Sequence, residues 1–297
     1  MTRPAERSVR DLRIVVTGAT EGIGKEIARG LVDRGAAVTI VARNEAKAEA
    51  TVRELAAGSG GAHVPEVVLA DLSDLGSVRR AADELGSRYD RIDVLVNNAG
   101  IAALRPAASV DGFELMMATN HLGPFLLTNL LLPVLTKSAP ARIVNTASEA
   151  HRFTLRPDPA TLAQPLEYGP LGGQAVYGRS KLMNVLSTAE LARRLAGTGV
   201  TVNCFCPGFV ATGLTRDLGE RARSVARVVS RTPLLRRPEQ GARLGLRLVL
   251  DPEMAAFNGR FFTSTPGAGL VPAVASRSDV PLQRRLWERS AELVGLG

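Results

Sequence analysis

The stretch Thr17-Gly18-Ala19-Thr20-Glu21-Gly22-Ile23-Gly24 decides the fold, because it joins two segments of different periodicity. Leu12–Thr17 before it is short, apolar and rich in β-branched residues, as a buried strand is. Gly22–Arg34 after it repeats apolar residues near helical spacing. A strand, a glycine-rich turn and an amphipathic helix in this order predict the first unit of a doubly wound parallel sheet.

The same alternation continues along the chain. Further strands are predicted over Ala36–Ala42, Val64–Ala70, Ile92–Val96, Arg142–Thr146, Val200–Cys206 and Arg260–Thr263. Helices are predicted over Asn44–Ala57, Asp74–Arg88, Asp111–Thr136, Ala175–Ala196, Pro238–Leu250 and a final segment that carries Leu282, Leu286, Leu293 and Val294. Because the strands are apolar throughout, they are typical of a parallel sheet that is covered on both faces. We expect an α/β fold: a single Rossmann-type domain over residues 1–297, with about seven strands flanked by helices.

Two segments interrupt the alternation. Arg152–Gly173 contains four prolines and three glycines, which predicts a lid-like loop over residues 150–174. The polar, arginine-rich stretch after the sixth strand predicts a substrate-side segment over residues 209–238.

Composition excludes several classes of protein. The 297 residues carry a formal net charge of +8, but the basic residues are dispersed and aromatic residues make up only 4%, which argues against a nucleic-acid-binding surface. Cys204 and Cys206 point the same way from one strand and cannot pair well, and the histidines form no metal-binding cluster. The longest apolar stretch, Leu122–Leu135, is too short to span a bilayer, so we expect a cytoplasmic protein without a membrane contact or a metal.

The glycine-rich turn predicts a phosphate site. Its glycines permit a tight turn, a close approach of the backbone to a phosphate and close packing of the helix on the strand. The following helix offers free N–H groups and the positive end of its dipole to an anion. The candidate contacts are Gly18, Thr20, Gly22, Ile23 and Gly24.

The end of the second strand indicates which dinucleotide binds. An acidic residue at this position would hold the ribose 2′-hydroxyl of NAD, whereas this chain has Arg43 and Asn44. The fork of donors on Arg43 suits a 2′-phosphate, which favours NADP(H) over NAD(H). Glu21 opposes this preference, because its carboxylate would repel the phosphate.

The ends of the third and fourth strands carry further candidate contacts. Asp71-Leu72 follows the third strand, and Asn98-Ala99-Gly100 ends the fourth. Each could be turn chemistry by itself, but all of them are expected at the same edge of one sheet.

Tyr177 and Lys181 carry the predicted chemistry. Four residues apart on a helix, they share one face. A nearby ammonium favours the phenolate, so we expect Lys181 to lower the pKa of Tyr177 and allow it to act as a general acid or base. Ser148 ends the fifth strand and could bind the reacting oxygen. Asn120 lies inside a predicted helix, where asparagine is unfavourable, which indicates a functional role or a kink.

Taken together, these motifs resemble the short-chain dehydrogenase/reductase family, and most of all its retinol-dehydrogenase-like branch. The match runs from Leu12 to Thr263 and includes Pro207-Gly208-Phe209-Val210-Ala211-Thr212 after the sixth strand. The resemblance implies that Tyr177 is the general acid/base and that Lys181 binds the nicotinamide ribose. It also implies that Ser148 steadies the carbonyl and that Asn120 holds a relay water.

The resemblance also implies the remaining cofactor contacts. Asp71 would meet the adenine and Asn98 the adenosine side, while Pro207, Gly208, Val210 and Thr212 would meet the nicotinamide carboxamide. Relatives commonly pair through two long helices, so a homo-oligomer, a dimer or a tetramer, is compatible with the sequence.

We therefore expect an NADP(H)-dependent oxidoreductase that interconverts a carbonyl and an alcohol. Apolar residues in and beyond the lid-like loop suggest an apolar organic substrate, although they could simply pack the loop; they are Phe153, Leu155, Leu162, Leu166, Tyr168, Leu171, Leu214 and Leu218. A tailoring ketoreductase fits this description. Two alternatives remain open: an epimerase or dehydratase that uses the same site, and an NADP-binding regulator or scaffold without turnover.

Overall fold

A computed structural model describes residues 8–103, 105–154, 156–208, 210 and 236–297, with only the backbone of Pro170, Leu171 and Gly269. Its strands form a parallel sheet in the order β3-β2-β1-β4-β5-β6-β7. They are β1 (Arg13–Thr17), β2 (Ala37–Ala42), β3 (Glu66–Leu69), β4 (Val94–Asn97), β5 (Ala141–Thr146), β6 (Val200–Cys206) and β7 (Phe261–Thr263). The predicted Rossmann-type sheet is confirmed, and the order reverses between β1 and β4, where ligands of such sheets bind.

Helices cover both faces of the sheet. They are α1 (Gly22–Val32), α2 (Glu45–Gly58), α3 (Leu75–Arg88), α4 (Gly123–Lys137), α5 (Pro170–Arg194), α6 (Pro238–Leu250) and α7 (Val280–Leu293). Successive side chains of β1 point to opposite faces: Ile14 and Val16 pack with α1, α2 and α6, whereas Val15 packs with α3, α4, α5 and α7. Two apolar cores therefore lie on either side of the sheet.

Side-chain caps start three of the helices. Asn44 accepts a hydrogen bond from the Lys47 N–H at the start of α2, and Asp74 accepts one from the Ser77 N–H at the start of α3. Asp279 does the same for the Leu282 N–H at the start of α7. Each cap satisfies an N–H group that the helix itself leaves unpaired.

The predicted helix over Asp111–Thr136 is wrong in its first part. The structure has a short α-helical turn at Leu115–Met117, then a π-helical segment at Ala118–Leu122 that runs into α4. Residues 108–114 form an irregular loop closed by a bridge between Ala108 and Glu114. Gly112 in this loop has φ +79°, a left-handed conformation that a helix does not contain.

The lid-like loop is shorter than predicted. Two 3-10 turns, Glu149–Phe153 and Pro159–Thr161, give it local structure, and α5 already begins at Pro170. Proline at the first position of α5 is compatible with a helix, because this N–H would be unpaired anyway. Of the predicted segment 209–238, residues 209 and 211–235 lie outside the described part of the chain.

The carboxyl ends of all seven strands meet at one edge of the sheet, which is called the carboxyl edge below. The helices return the chain to the opposite edge, where α2 is followed by the exposed turn that contains Gly60 and Gly61. In the described residues, no helix is long and apolar enough to cross a membrane. That residues 1–297 form one domain stays a prediction.

Candidate active site

The glycine-rich turn after β1 is held by the end of β4. The Thr17 hydroxyl oxygen accepts hydrogen bonds from the backbone N–H groups of Asn98 and Ala99, at 3.0 and 3.1 Å. The Asn98 amide donates to the carbonyl oxygens of Thr17 and Gly18, at 3.1 and 3.2 Å. Gly18 has φ +66°, and a Cβ there would lie 2.7 Å from the Ala99 Cα, so only glycine fits this turn.

Gly24 lets α1 pack against the turn and is not part of the cleft wall. A Cβ at this position would lie 2.2 Å from the Asn98 amide nitrogen and 2.3 Å from the Gly18 carbonyl oxygen. The N-cap residue Glu21 makes no side-chain capping bond to α1. The first N–H groups of the helix are therefore available to an anion that enters the cleft.

A cleft of about 430 Å³ runs along the carboxyl edge. Most of the predicted site residues line it: Gly18, Thr20, Gly22, Ile23, Arg43, Asn44, Asp71, Leu72, Asn98, Ala99, Gly100, Ser148, Tyr177, Lys181, Pro207, Gly208 and Val210. Gly24 and Asn120 do not line it, and Thr212 lies outside the described residues. Lining residues that the sequence reasoning missed include Lys47, Ile101, Ala102, Thr119 and Gln174.

One end of the cleft carries the cations Arg43 and Lys47 together with the carboxylates of Asp71 and Glu21. Arg43 lies 3.7 Å from the Asp71 carboxylate, and its side chain is 73% exposed. Asp71 also accepts hydrogen bonds from the backbone N–H and the hydroxyl of Ser73, at 2.9 and 2.6 Å. Lys47, one turn into α2, adds a second cation to the cleft wall. Two features of the sequence could have identified Lys47: lysine is rare in this arginine-rich chain, and Lys47 follows Arg43 closely.

The other end brings Ser148, Tyr177 and Lys181 together. Ser148 follows β5 and accepts a hydrogen bond from the Ala150 N–H at 3.2 Å. Tyr177 and Lys181 project from the same face of α5, with the Lys181 Nζ 5.7 Å from the centroid of the Tyr177 ring. The Lys181 ammonium is buried and donates to the Thr146 carbonyl oxygen at 3.2 Å.

The expected lowering of the Tyr177 pKa is not found in this chain without its cofactor. Burial raises the pKa of Tyr177 to about 12, and the hydrogen bond with Ser148 opposes this rise only in part. Burial also lowers the pKa of Lys181 to about 8. The prediction failed because it weighed the attraction of the ammonium and omitted the cost of taking both charged forms out of water.

Asn120 lies behind the cleft in the π-helical segment, so the irregularity that the sequence suggested at this position is a change in backbone hydrogen bonding. The side-chain oxygen of Asn120 accepts a hydrogen bond from the Ile101 backbone N–H at 2.7 Å. The side-chain NH2 group of Asn120 donates to the Ile101 backbone carbonyl oxygen and to the Ser180 hydroxyl oxygen, both at 2.9 Å. The side chain thus fixes the loop after β4 against α5.

The apolar residues expected to contact a substrate do not form a common surface. Leu162 is part of a buried core, whereas the Phe153 side chain is 81% exposed. The Tyr168 hydroxyl donates to the Arg105 carbonyl oxygen at 3.1 Å. None of these described residues lines the cleft, nor does Leu166. Leu155, Leu214, Leu218 and the side chain of Leu171 lie outside the described part of the chain.

Family models cover most of the sheet and the cleft. The model described as short chain dehydrogenase matches residues 13–156, and the model described as enoyl-(acyl carrier protein) reductase matches residues 167–260. Retinol dehydrogenase 13 of Homo sapiens is 36% identical over 303 residues, which cover 99% of this chain and 87% of the relative.

Solved structures show the same architecture. An uncharacterized protein from Mycobacterium paratuberculosis is 32% identical with a TM-score of 0.73, and the match covers 97% of each chain. The RhlG/NADP active-site complex of Pseudomonas aeruginosa is 29% identical with a TM-score of 0.69, and the match covers 88% of this chain and 99% of that chain.

Proposed function

The chain belongs to the short-chain dehydrogenase/reductase family of oxidoreductases, which act on carbonyl and alcohol groups, and on this basis we propose that it interconverts the carbonyl and alcohol forms of an apolar organic molecule with NADP(H) as its cofactor. Tyr177 is the proposed general acid/base. The observation that carries the proposal is that Ser148, Tyr177 and Lys181 line the same cleft as the glycine-rich turn.

The residues of the cleft fit a dinucleotide. The left-handed Gly18 and the uncapped start of α1 offer a cradle for phosphates, and Arg43 and Lys47 are cations at the end of β2 and the start of α2. A relative solved with NADP supports this fit. The bound cofactor supplies or accepts the hydride.

Ser148 and Tyr177 then act on the substrate oxygen. In reduction, both hydroxyls donate hydrogen bonds to the carbonyl oxygen, and Tyr177 releases its proton to that oxygen as the alcohol forms. Because its pKa is about 12, the phenol is protonated at neutral pH, the form that a general acid requires. In oxidation, the phenolate of Tyr177 accepts the alcohol proton.

Asn120 is proposed to support this chemistry as a positioning residue. It contacts Ile101 and Ser180, and these neighbours flank the cleft on the loop after β4 and on α5. The relay water that the family resemblance implies stays part of the proposal.

The substrate class rests on the relatives. Retinol dehydrogenases are similar to this chain over nearly its full length, and Ile101 and Ala102 give the cleft apolar surface near Lys181. We propose an apolar aldehyde, ketone or secondary alcohol, with retinal as the first compound to test. A ketoreductase that modifies a larger product is included in this class.

A Tyr177→Phe variant tests the chemistry. We expect kcat for NADPH-dependent retinal reduction to fall at least about a hundredfold, because the proton donor is lost. NADPH binding, followed by its fluorescence, should change little. Tyr89→Phe is the matched control, since Tyr89 is buried against α3 and bonds to Thr39, away from the cleft. A Tyr177→Phe enzyme with wild-type kcat contradicts the proposal.

The same assay separates the alternatives. Turnover of substrate without net oxidation of NADPH identifies an epimerase or dehydratase. Tight NADPH binding with no turnover over a broad carbonyl panel identifies a regulator or scaffold. The grouping of Ser148, Tyr177 and Lys181 in one cleft, with Asn120 behind it, favours a working enzyme over both.

An Arg43→Ala variant tests the cofactor preference. We expect the Kd for NADPH to rise about tenfold while the Kd for NADH stays within about twofold, because only NADPH carries the 2′-phosphate. Arg53→Ala is the control, since Arg53 is as exposed on α2 but pairs with Glu49. Equal effects on both cofactors would show that Arg43 does not select NADP(H).

The proposed partners are a small-molecule substrate and NADP(H), with no nucleic acid, membrane or metal, in the cytoplasm. A homo-oligomer is compatible with this proposal. As in relatives, its contacts are proposed to form through the long helices, which here are α4 and α5.

A further inference from the structure

Ser148 lies where β5 ends and the chain turns sharply. The N–H of the preceding residue, Ala147, donates to the Phe205 carbonyl oxygen on β6 at 2.7 Å. The N–H of Ala150 donates to the Ser148 hydroxyl oxygen at 3.2 Å. The hydroxyl proton is not used by this bond and is free to be donated, and Ser148 is near enough to Tyr177 to lower the pKa of its phenol in part.

Cys206 fixes the residue after Ser148. Its sulfur, at the end of β6, accepts the Glu149 N–H at 3.3 Å and the Gly208 N–H at 3.4 Å. The thiol is 2% exposed, so no solvent competes for these donors. One side chain therefore ties the Ser148 turn after β5 to the Pro207–Gly208 turn after the neighbouring strand β6, and both turns line the cleft.

His151 fixes Ser148 itself. Its Nδ1 lies 2.6 Å from the Ser148 carbonyl oxygen, which also accepts the His151 backbone N–H at 3.1 Å. A carbonyl oxygen can only accept, so Nδ1 carries the ring proton. The ring is fully buried, with its centroid 4.8 Å from that of Phe261.

The surroundings keep the His151 ring neutral. Burial lowers the pKa of His151, and the nearby cations Arg277 and Arg152 act in the same direction, while the Ser148 carbonyl and Glu149 oppose them. The contact with the Ser148 carbonyl oxygen requires the proton on Nδ1 in the neutral ring, so Nδ1 is the donor.

We propose that His151 and Cys206 are positioning residues for the reaction: together they hold the Ser148 hydroxyl within hydrogen-bonding reach of Tyr177 and of the substrate oxygen. This inference rests on the proposed function, because it has a kinetic consequence only if Ser148 contacts the reacting oxygen. Neither side chain touches the substrate.

A double-mutant cycle tests the role of His151. We expect His151→Leu to lower kcat for retinal reduction about tenfold, and His151→Asn, which keeps an N–H donor near the Nδ1 position, to lower it less than about threefold. In a Ser148→Ala chain, His151→Leu should change the residual kcat less than about twofold, because Ser148 no longer needs positioning. A tenfold loss in both backgrounds would overturn the proposal.

Cys206 is tested against the other cysteine. We expect Cys206→Ala to lower kcat about tenfold and Cys206→Ser, which keeps an acceptor, to lower it less. Cys204→Ala removes an equally buried thiol from the same strand and should leave kcat within about twofold of wild type. Equal losses for Cys204→Ala and Cys206→Ala would show that packing alone is responsible.

The imidazole resonances give a readout that does not depend on turnover. We expect nitrogen NMR of the cofactor-free protein at pH 8 to show His151 as the Nδ1–H tautomer. The other tautomer would overturn the proposal. If Ser148→Ala keeps wild-type kcat, the proposed function fails; if only Ser148→Ala loses kcat, the positioning role alone fails.

Discussion

Lys181 shows how a single residue can make stability depend on pH. Burial lowers its pKa from 10.5 to about 8 in the folded protein, whereas the unfolded chain keeps the ordinary value. Between these two values, the unfolded state binds more protons than the folded state. The free energy of unfolding therefore rises with pH in this window. Below pH 8, the buried ammonium lowers the free energy of unfolding by its full amount.

A Lys181→Met variant should remove this dependence. We expect the difference in the free energy of unfolding, wild type minus variant, to rise by about 2 kcal/mol between pH 7.5 and pH 9.5. Urea unfolding of both proteins at the two pH values measures it. A difference that stays constant would mean that burial does not lower the pKa of Lys181.

Residue identities in the cleft were largely predictable, because most of them follow strand ends that share one edge, while Tyr177 and Lys181 share one face of a helix. The charge states of these residues were not predictable from the sequence. The pKa of Tyr177 moves up and not down, since burial depends on how α5 packs on β5 and β6, which sequence spacing does not contain. His151 was missed for the same reason: its contact with Ser148 requires the 3-10 turn.

At the scale of elements, the π-helical segment Ala118–Leu122 places Asn120 where an α-helix would not. We expect Asn120→Leu to lower the free energy of unfolding by about 2–4 kcal/mol, because it removes three hydrogen bonds of a fully buried side chain and leaves the half-buried backbone groups of Ile101 without these partners. Urea unfolding measures the loss.

Asn129→Leu is the matched control for that variant. Asn129 lies on α4, is half-buried and donates only to the Phe125 carbonyl oxygen of its own helix. We expect it to cost less than about 1 kcal/mol. Similar losses for the two variants would mean that the bridge from the π-helical segment to the loop after β4 adds no stability.

Strands were easier to predict from the sequence than helix ends. β6 lies where the apolar run places it, at Val200–Cys206, and α6 lies at Pro238–Leu250, where proline marks the start. The prediction of one helix over residues 111–136 was wrong in its first part. The apolar residues keep a helical period there, although the backbone forms a loop, a short turn and the π-helical segment. Periodicity records which side chains are buried and not which backbone hydrogen bonds form.

At the scale of the whole molecule, α7 closes one of the two cores. Trp287 packs edge-on against Phe125 with ring centroids 4.5 Å apart, and the Ser290 hydroxyl is 2.9 Å from the His121 Nε2. Leu286 is fully buried beside them. The C-terminal helix is therefore part of the core of α4 and α5.

A Trp287→Ala variant measures this contribution. We expect a loss of about 3–5 kcal/mol in the free energy of unfolding, because a large buried ring leaves a cavity. Urea unfolding followed by circular dichroism detects it, since the variant lacks the only tryptophan. Glu288→Ala, on the exposed side of the same helix, should cost less than about 0.5 kcal/mol. A loss below 1 kcal/mol for Trp287→Ala would contradict the packing of α7.

The overall architecture was predictable because strand and helix patterns alternate and crossover connections have a fixed hand. The sequence predicted a final helix with Leu282 and Leu286 on one face. It did not show that this helix packs against α4 and α5, because that depends on contacts between residues far apart in the chain, such as His121 and Ser290, which are separated by 169 positions.

The polarity of the sheet has a practical consequence for anyone who builds a sensor from this protein. The cleft lies at the carboxyl ends of the strands, whereas the turn at Gly60 and Gly61 lies at the opposite edge of the sheet. No atom lies within 4 Å of the position that a Cβ would take at either glycine. Tethering the protein to an electrode or a bead through a cysteine inserted between these glycines should leave the cleft facing the bulk solution.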